Sequence, residues 1–506
     1  MNAGRRRPSL LLVVVAVLAV VMLLPVGYVV AIGFQVGWPT LAPLVFRPKV
    51  GELLVNTVLL VVLGVPVTVV LGVGGAWLVE RTNLPGRRVW AVLLAAPLAI
   101  PAFVSSYGWV SAIPSIGGIG GGLLVATLAY YPLVYLPAVA TLRRLDPALE
   151  ESARALGLGP WGVFARVVLP QLRLAVWGGG LVVALHLLSE YGAFALIRFD
   201  TFTTAIVVQY QSTFAGPAAS ALGIVLAGLC LILLVGESAT RGTARYSRVG
   251  SGAARSAVVQ RLGWSAPFAL AALAALLVAA IGVPAASLVR WLSIGDPWSQ
   301  RELPGAIIQT AGLAVTGAVV TVLVALPIAW LTVRRPGRLA RFLEGAYYLA
   351  SSLPAIIIAL GLVTITIRIV PALYQSVFTV VLAYVIIFLP RALVSLRAGI
   401  AQAPVSLEEA ARSLGRSPLA ARAQVTLPLI LPALGAGAAL VGLGAANELT
   451  ATLLLAPSGT RTLATQFWSA SSSVAYSDAA PYALLLIALS FPSVAILFLQ
   501  TRKRAR

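Results

Sequence analysis

Apolar runs long enough to cross a membrane recur through almost the whole of this 506-residue chain. A helix needs about 20 apolar residues to cross the roughly 30 Å of hydrocarbon in a bilayer. Such runs lie at about 9–33, 53–79, 90–112, 119–142, 172–198, 218–237, 264–290, 306–331, 343–366, 377–396, 430–450 and 480–500. They predict an all-α integral membrane protein with about 12 transmembrane helices.

Composition agrees with this prediction and excludes several functions. Only 10% of the residues are charged, whereas a soluble chain carries roughly a quarter. The lone Cys230 rules out a disulfide framework within one chain and any cysteine-based metal cluster. The lone His186 rules out a histidine-rich metal site, and we expect it to be packed or hydrogen-bonded within a helix. The net charge of +21 does not indicate nucleic acid, because the basic residues alternate with the apolar runs.

The distribution of basic residues orients the helices. An even number of spans places both termini on one side, and the positive-inside rule assigns that side to the cytoplasm. Placing Arg5–Arg7 there puts 29 of the 36 Lys and Arg residues on the cytoplasmic face. The run after these arginines is about 25 residues long and lacks a clear cleavage site, so we expect a retained first helix instead of a secretory signal.

One polar segment occurs twice, each time in an Arg-bearing gap between apolar runs. The first copy reads Glu-Ser-Ala-Arg-Ala-Leu-Gly at 151–157 and Val-Val-Leu-Pro at 167–170. The second reads Glu-Ala-Ala-Arg-Ser-Leu-Gly at 409–415 and Val-Thr-Leu-Pro at 425–428. The two copies are 258 residues apart throughout. Such a segment in matching gaps of two hydrophobic halves indicates a docking site for two identical soluble partners.

The duplication extends beyond this segment. Residues that match at the same spacing include Glu190 with Glu448 and Thr204 with Thr462, and upstream, at a spacing of 253, Trp77 with Trp330. An even number of spans in each half gives the two halves one orientation. The sequence therefore predicts parallel halves at 1–240 and 264–506. Between them, 241–263 has the Gly, Ser and Ala content of a flexible cytoplasmic linker.

The repeated segment resembles the EAA motif of ATP-binding-cassette importer permeases, which is Glu-Ala-Ala, three residues, Gly, nine residues and Ile-x-Leu-Pro. Both copies match its spacing, with Ser152 in place of the first alanine and Val167 and Val425 in place of isoleucine. The resemblance covers both halves. It implies the type I importer permease fold, with two parallel six-helix repeats, in the bacterial cytoplasmic (inner) membrane.

In this family the segment forms a coupling helix that inserts into a groove on an ATPase subunit. Acidic residues in the first turn suit the helix dipole, and glycine ends such a helix in the left-handed conformation. We name residues 150–170 and 408–428 the first and second coupling segments. The resemblance assigns the ATPase contact to Glu151, Ala153, Gly157, Pro170, Glu409, Ala410, Ala411, Gly415 and Pro428. An amphipathic helix lying on the membrane is the alternative.

The chain carries no ATP site of its own. The phosphate-binding loop of ATPases requires a lysine, and the two lysines here are Lys49 in an outer loop and Lys503 in the tail. The resemblance therefore implies a transport subunit that is not itself an enzyme and holds no stable cofactor. Its expected partners are two copies of a cytoplasmic ATPase, a solute-binding protein outside the membrane, and the lipid bilayer.

The fusion of both halves into one chain points to a substrate. It resembles the ferric-iron importers first and the thiamine and phosphonate importers next. Two regions, 189–193 with 200–204 and 447–455 with 460–463, look like those of ferric permeases. Ferric iron is therefore the expected substrate, with thiamine or phosphonate as the alternative.

Carboxylates near the outer ends of two spans are candidates for the translocation path. Glu190 and Glu448 occupy equivalent positions, and Tyr191 and Asp200 lie close to the first in sequence. Charged groups within spans are costly and usually face a cavity or a partner. Glu190 and Glu448 are therefore the expected transient contacts for a hard cation. The alternative is that both hydrogen-bond loop amides.

A secondary transporter driven by an ion gradient is the competing class of function. Such proteins also carry internal repeats, and Glu190 and Glu448 would then be proton or sodium sites. The paired coupling segments argue against this class, because a gradient-driven carrier needs no docking helices for a motor.

Overall fold

The computed structural model describes residues 10–211, 216–240 and 259–503. Over these ranges the chain is built of helices, with one isolated β-bridge between Thr82 and Gln260. The all-α prediction is therefore confirmed. Most of the expected linker at 241–263 lies outside the described residues, as do Arg5–Arg7.

The helices are numbered in chain order. The first group is α1 (Leu10–Val36), α2 (Trp38–Val45), α3 (Pro48–Arg81), α4 (Arg87–Leu93), α5 (Ala102–Ala112), α6 (Gly118–Tyr130), α7 (Pro132–Leu142), α8 (Pro147–Ala155), α9 (Pro160–Val163), α10 (Leu169–Ser189), α11 (Gly192–Leu196), α12 (Phe202–Gln211) and α13 (Gly216–Thr240). The second is α14 (Ala266–Leu277), α15 (Val283–Leu292), α16 (Leu303–Arg334), α17 (Arg338–Ser351), α18 (Ala355–Arg368), α19 (Val377–Gln402), α20 (Val405–Ser413), α21 (Pro418–Ala421), α22 (Leu427–Ala446), α23 (Thr450–Leu455), α24 (Leu463–Ser472) and α25 (Tyr476–Lys503). Short 3₁₀-helices lie at Ala96–Ala99, Gly263–Ser265 and Pro371–Leu373, and π-helices at Phe164–Val168, Val278–Gly282 and Arg422–Thr426.

Eleven of the twelve expected spans have a counterpart in the structure. Within the described ranges, nine helices are long and apolar enough to cross a membrane, and two bent helix pairs raise the number to eleven. The expected twelfth span, 480–500, falls in α25, whose side chains are described only as far as Pro492. Large apolar side chains on the spanning helices, such as Val70 and Ile308, are about 70% exposed and suit a lipid surface (70% and 72%).

Two of the expected spans are not straight. The segments Arg87–Ala99 and Ala102–Ala112 meet at 91°, and Arg338–Ser351 and Ala355–Arg368 meet at 94°. Pro101 and Pro354 stand at the two breaks with almost the same backbone angles (φ −54°, ψ 142° and φ −53°, ψ 140°). A proline disfavours helical geometry in the residue before it, so each apolar run that reads as one span folds as two helices.

The described chain forms two compact units that differ from the two sequence halves. Unit I consists of Met1–Leu41 and Gln300–Gln466, and unit II of Ala42–Ser299 and Phe467–Arg506. The helix that opens each sequence half therefore packs among helices of the other half. The halves 1–240 and 264–506 describe the repeat in the sequence. That they are also the two domains of the protein stays a prediction.

Unit I has α16, α19 and α22 at its centre, with α1 packed on α17 and α18. The hydroxyl of Tyr347, which is fully buried, donates to the carbonyl of Val15 and so ties α17 to α1. Gly361 of α18 faces the backbone of α1, where a Cβ would lie 2.3 Å from the carbonyl oxygen of Pro25. The close approach of these two helices requires glycine at this position.

Unit II has α3, α7 and α10 at its centre, with α5 packed on α15. Gly108 of α5 lies against Pro284, whose Cα would be 2.5 Å from an added Cβ. The Ser287 hydroxyl donates to the Gly108 carbonyl over 2.7 Å, and the Tyr107 hydroxyl donates to the Tyr476 carbonyl over 2.7 Å. These contacts attach α15 and α25 to α5.

Replacing Gly361 with alanine should loosen α1 from α18. The added methyl group has no room beside Pro25, and overpacking of this kind costs about 1–3 kcal/mol. Thermal unfolding of the purified chain in detergent should show a lower midpoint for Gly361→Ala. Gly345→Ala is the control, because a Cβ there meets nothing within 4 Å and alanine favours the helix. Equal midpoints for the two variants would contradict the packing described.

Candidate functional site

Each coupling segment begins within a nine-residue helix. These helices are α8 (Pro147–Ala155) and α20 (Val405–Ser413), and both carry an acidic residue in the first turn and an arginine in the last. Each is followed by a four-residue helix, a π-helix and a long spanning helix, namely α10 in the first segment and α22 in the second. The repeat seen in sequence is therefore a repeat in structure.

The glycine at the end of each short helix has the backbone geometry that the sequence predicts. Gly157 has φ +86° and Gly415 has φ +85°. The amide of Leu158 donates to the carbonyl of Ala153 over 3.1 Å, and the amide of Gly157 to that of Arg154 over 2.9 Å. This pair of hydrogen bonds is a Schellman cap, which satisfies the last carbonyls of a helix. The same two bonds form around Gly415.

Both segments expose large apolar side chains immediately before and shortly after the capping glycine. Leu156 is 84% exposed and Trp161 is 83% exposed in the first segment. Leu414 is 85% exposed and Leu419 is 76% exposed in the second. Large apolar side chains exposed at matching positions of both segments are candidates for contact with a partner protein.

The predicted contact residues are mostly accessible. Glu151, Glu409, Ala410 and Gly415 are exposed, Gly157 likewise, and Ala411 is half-buried. Ala153 is buried at 7% exposure, so it packs under the helix instead of facing outward. Pro170 and Pro428 lie in the first turn of α10 and α22, and both are exposed.

Sequence reasoning missed the acidic residue that precedes each motif glutamate. Glu150 is 2% exposed and forms an ion pair with Arg81 at 3.0 Å. Glu408 forms one with Arg422 at 3.3 Å. In sequence they stand out only as acids in a first turn, because their partners lie on other elements.

The Glu190 carboxylate caps a short helix. α10 ends at Ser189, and Glu190 turns to an extended conformation (φ −70°, ψ 123°). Its Oε1 accepts from the Ala193 amide over 2.9 Å in the first turn of α11. Its Oε2 accepts from the hydroxyl of Tyr130, a residue that sequence reasoning assigned to no site. Glu190 is half-buried.

The Glu448 carboxylate caps the short helix α23 in the other half. Its Oε1 accepts from the Ala451 amide over 3.0 Å, and its Oε2 from the Thr452 amide over 3.0 Å. The Thr452 hydroxyl, 3.1 Å from the same Oε2, lies 2.7 Å from the Tyr384 hydroxyl. Each half thus connects a tyrosine to its glutamate, directly in one case and through Thr452 in the other. Both glutamates accept from backbone amides, as in the alternative that the sequence left open, but these amides belong to short helices and not to loops.

The side chains of the remaining two path candidates have partners other than the Glu190 carboxylate. Tyr191 is buried, with its ring 5.1 Å from that of Trp468. Asp200 is half-exposed and accepts from Lys49 over 2.7 Å. Over the residues that the structure describes, no group of three or more His, Cys, Asp or Glu side chains forms a metal site.

The Lys49–Asp200 ion pair has a counterpart of opposite polarity in the other half. Glu302, which stands 253 positions after Lys49, pairs with Arg461. The loop that holds each partner is followed by a helix capped by threonine hydroxyls, at 201 and 204 in one half and 462 and 465 in the other. The structural partner of Thr462 is therefore Thr201, not Thr204, because α24 begins 261 positions after α12 whereas α23 begins 258 positions after α11.

The chain is similar to known permeases over nearly its whole length. The sequence profile of the family described as binding-protein-dependent transport system inner membrane component matches residues 69–239 and again 317–503. The Fe(3+)-transport system permease protein FbpB 2 of Haemophilus influenzae is 35% identical over 491 residues, which are 96% of this chain and 97% of that protein.

Other relatives match about half of the chain. The sulfate transport system permease protein CysW of Escherichia coli is 27% identical over 42% of this chain and 82% of its own length. A probable molybdenum ABC transporter permease protein of Haloferax volcanii is 30% identical over 45% of this chain and 88% of its own length.

Gly157→Val and Gly415→Val should unwind the ends of α8 and α20. A Cβ meets nothing within 4 Å at either glycine, so the strain comes from the left-handed backbone alone, at about 1–2 kcal/mol or more. Amide hydrogen exchange of the purified chain should be faster in the last turn of the helix that carries the change. Gly159→Val is the control, since its backbone is not left-handed and its Cβ also meets open space. Unchanged exchange in both glycine variants would contradict the role of the cap.

Proposed function

Because the chain belongs to the family of binding-protein-dependent transport system inner membrane components, we propose that it is the permease of an ATP-driven importer of ferric iron. In this proposal a solute-binding protein delivers iron outside the inner membrane, and the chain carries it to the cytoplasm. Two copies of a separate ATPase supply the energy. Both termini and both coupling segments face the cytoplasm.

One observation carries the choice of iron. The Haemophilus influenzae Fe(3+) permease matches 96% of this chain, both halves included. The sulfate and molybdenum relatives match 42% and 45%, so they account for the permease fold of one half. Thiamine or phosphonate remains the alternative from the fused architecture.

The coupling segments supply the contact with the motor in this proposal. Each carries two exposed apolar side chains near its glycine cap, Leu156 and Trp161 in the first segment and Leu414 and Leu419 in the second. An ATPase groove that covers such side chains gains about 25 cal/mol for each Å² of apolar surface buried. The neighbouring Glu151 and Glu409 add charge that selects the orientation of the partner.

The two half-buried glutamates supply oxygen ligands along the path in this proposal. Hard cations prefer carboxylate oxygens, and Glu190 has the phenol oxygen of Tyr130 beside it. The amide hydrogen bonds that hold each carboxylate also fix its position. A carboxylate that caps a helix still has lone pairs to offer a passing ion.

Purified complex should contain one copy of this chain and two copies of the ATPase. Each chain carries two coupling segments, and each segment accommodates one partner subunit. Native mass measurement of the detergent-solubilised complex gives the ratio directly. A complex with two copies of this chain would contradict the assignment of the segments.

The double change Glu190→Gln/Glu448→Gln should abolish ferric-iron uptake. Glutamine retains one carbonyl oxygen for a helix amide at each position, although at 448 it can accept from only one of the Ala451 and Thr452 amides. It removes the negative charge that would coordinate a trivalent ion. Even singly charged groups cost ~2.5–3.5 kcal/mol at mid-membrane on insertion scales. Uptake of radioactive iron into vesicles, normalised to assembled complex, measures the effect.

Glu52→Gln is the matched control, because Glu52 is an outer carboxylate with a half-exposed side chain. It should leave uptake unchanged. Normal iron uptake by the double variant would assign Glu190 and Glu448 to helix capping alone. If the wild-type chain takes up thiamine and not iron, the proposal that ferric iron is the substrate is wrong.

A further inference from the structure

Arg81, the last residue of α3, is a buried charge at the junction of three helices. Its side chain and that of Glu150 in α8 are each 3% exposed, and the two form an ion pair at 3.0 Å. The same Nη2 donates to the carbonyl of Leu142, the last residue of α7, over 2.9 Å. Arginine is favourable at the carboxyl end of a helix, where carbonyls lack partners.

A buried ion pair of this kind holds its elements together. Removing Arg81 leaves Glu150 buried with Arg154, 3.9 Å away in the same helix, as a weaker counterion. A buried charge that loses its closest partner is strongly unfavourable. α8 therefore does not separate from α3 and α7 without exposing Arg81 or Glu150. The link connects a coupling helix to the inner end of a spanning helix of 34 residues.

The second half lacks this link although it has the corresponding residues. Arg334, 253 positions after Arg81, ends α16 and donates to the carbonyl of Ala403 over 2.8 Å. Glu408, the counterpart of Glu150, instead accepts from Arg422 over 3.3 Å and from Thr426 over 3.2 Å. Both partners belong to the π-helix that leads into α22.

The two coupling helices also differ in how firmly they are seated. α8 begins with the Asp146 side chain accepting from the Ala148 amide, and it buries Pro147, Glu150 and Ala153. α20 begins after Pro404 with no side-chain cap, and none of its residues is buried. The Asp146 cap and the burial of Pro147 and Ala153 are independent of the ion pair, and they also indicate that α8 is held more firmly than α20.

We propose that Arg81 is a positioning residue that makes the first coupling helix move as one body with α3 and α7. The second coupling helix acts instead on the start of α22, through Glu408 with Arg422 and Thr426. The two motor contacts of one chain therefore drive different spanning helices. This inference rests on the proposed role of the coupling segments as ATPase contacts.

The test removes the Arg81–Glu150 ion pair and keeps side chains of similar volume at both positions. Arg81→Met/Glu150→Met deletes both charges together, and such replacements of a buried pair are often tolerated by the fold. Arg144→Met is the matched control, since Arg144 is an exposed arginine on the same loop as the end of α7. All chains are tested at full length in lipid nanodiscs or as the assembled complex.

Amide hydrogen exchange of the nanodisc-bound chain, measured without the ATPase, tests how firmly α8 is held. Wild-type α8 should exchange about tenfold more slowly than α20, and the double change should remove that difference. Arg144→Met should leave α8 as in the wild type. Equal exchange of α8 and α20 in the wild type, or an α8 unaffected by the double change, would overturn the proposal.

Transport per ATP hydrolysed tests the coupling. In proteoliposomes, the double variant should assemble and hydrolyse ATP within about twofold of the wild type, while iron carried per ATP falls about tenfold. A parallel loss of assembly, hydrolysis and uptake would show that the pair only holds the fold and would overturn the proposal. A wild-type chain that neither binds an ATPase nor takes up iron would overturn the proposed function instead, and the exchange measurement would still decide whether α8 is anchored.

Discussion

The hydrocarbon interior of a membrane offers no hydrogen-bond partners, and this constraint determines the structure of the spanning segments. A spanning segment must satisfy its backbone groups internally, which restricts a chain of this composition to helices. Side-chain hydroxyls follow the same rule. Thr310 donates to the Ala306 carbonyl over 2.7 Å, and Thr366 to that of Leu362 over 2.9 Å. Groups that need water or a partner protein are thereby confined to the ends of spans, where the coupling segments lie.

The two halves share local backbone geometry at equivalent positions but differ in the side-chain contacts between their helices. The prolines at the bends and the glycines at the coupling caps have nearly identical backbone angles in both halves. The first residue of the π-helix in each coupling segment is different in the two halves. In one half Phe164 packs edge-on against Trp77 with 4.8 Å between ring centroids, and in the other Arg422 lies 5.5 Å from the Trp330 ring. Backbone geometry is thus repeated, while the side chains that connect the elements have diverged.

Sequence patterns predicted the local features and missed those that depend on distant partners. The spans, the coupling helices and the left-handed glycines follow from residues close together in the chain. The right-angle bends were missed because Pro101 and Pro354 stand inside apolar runs that hydropathy reads as continuous. The burial of Glu150 was missed because its partner, Arg81, lies 69 positions earlier on another helix. The exchange of the opening helices between halves was missed because similar apolar surfaces carry little information about which helices pack together.

The energy source is the most direct test of this account. The wild-type chain, assembled with its ATPase in proteoliposomes and supplied with iron-loaded binding protein, should take up ferric iron only when ATP reaches the ATPase. Ionophores that abolish proton and sodium gradients should leave that uptake unchanged. Uptake that proceeds without ATP and stops when the gradients are abolished would make the chain a secondary transporter and contradict the account.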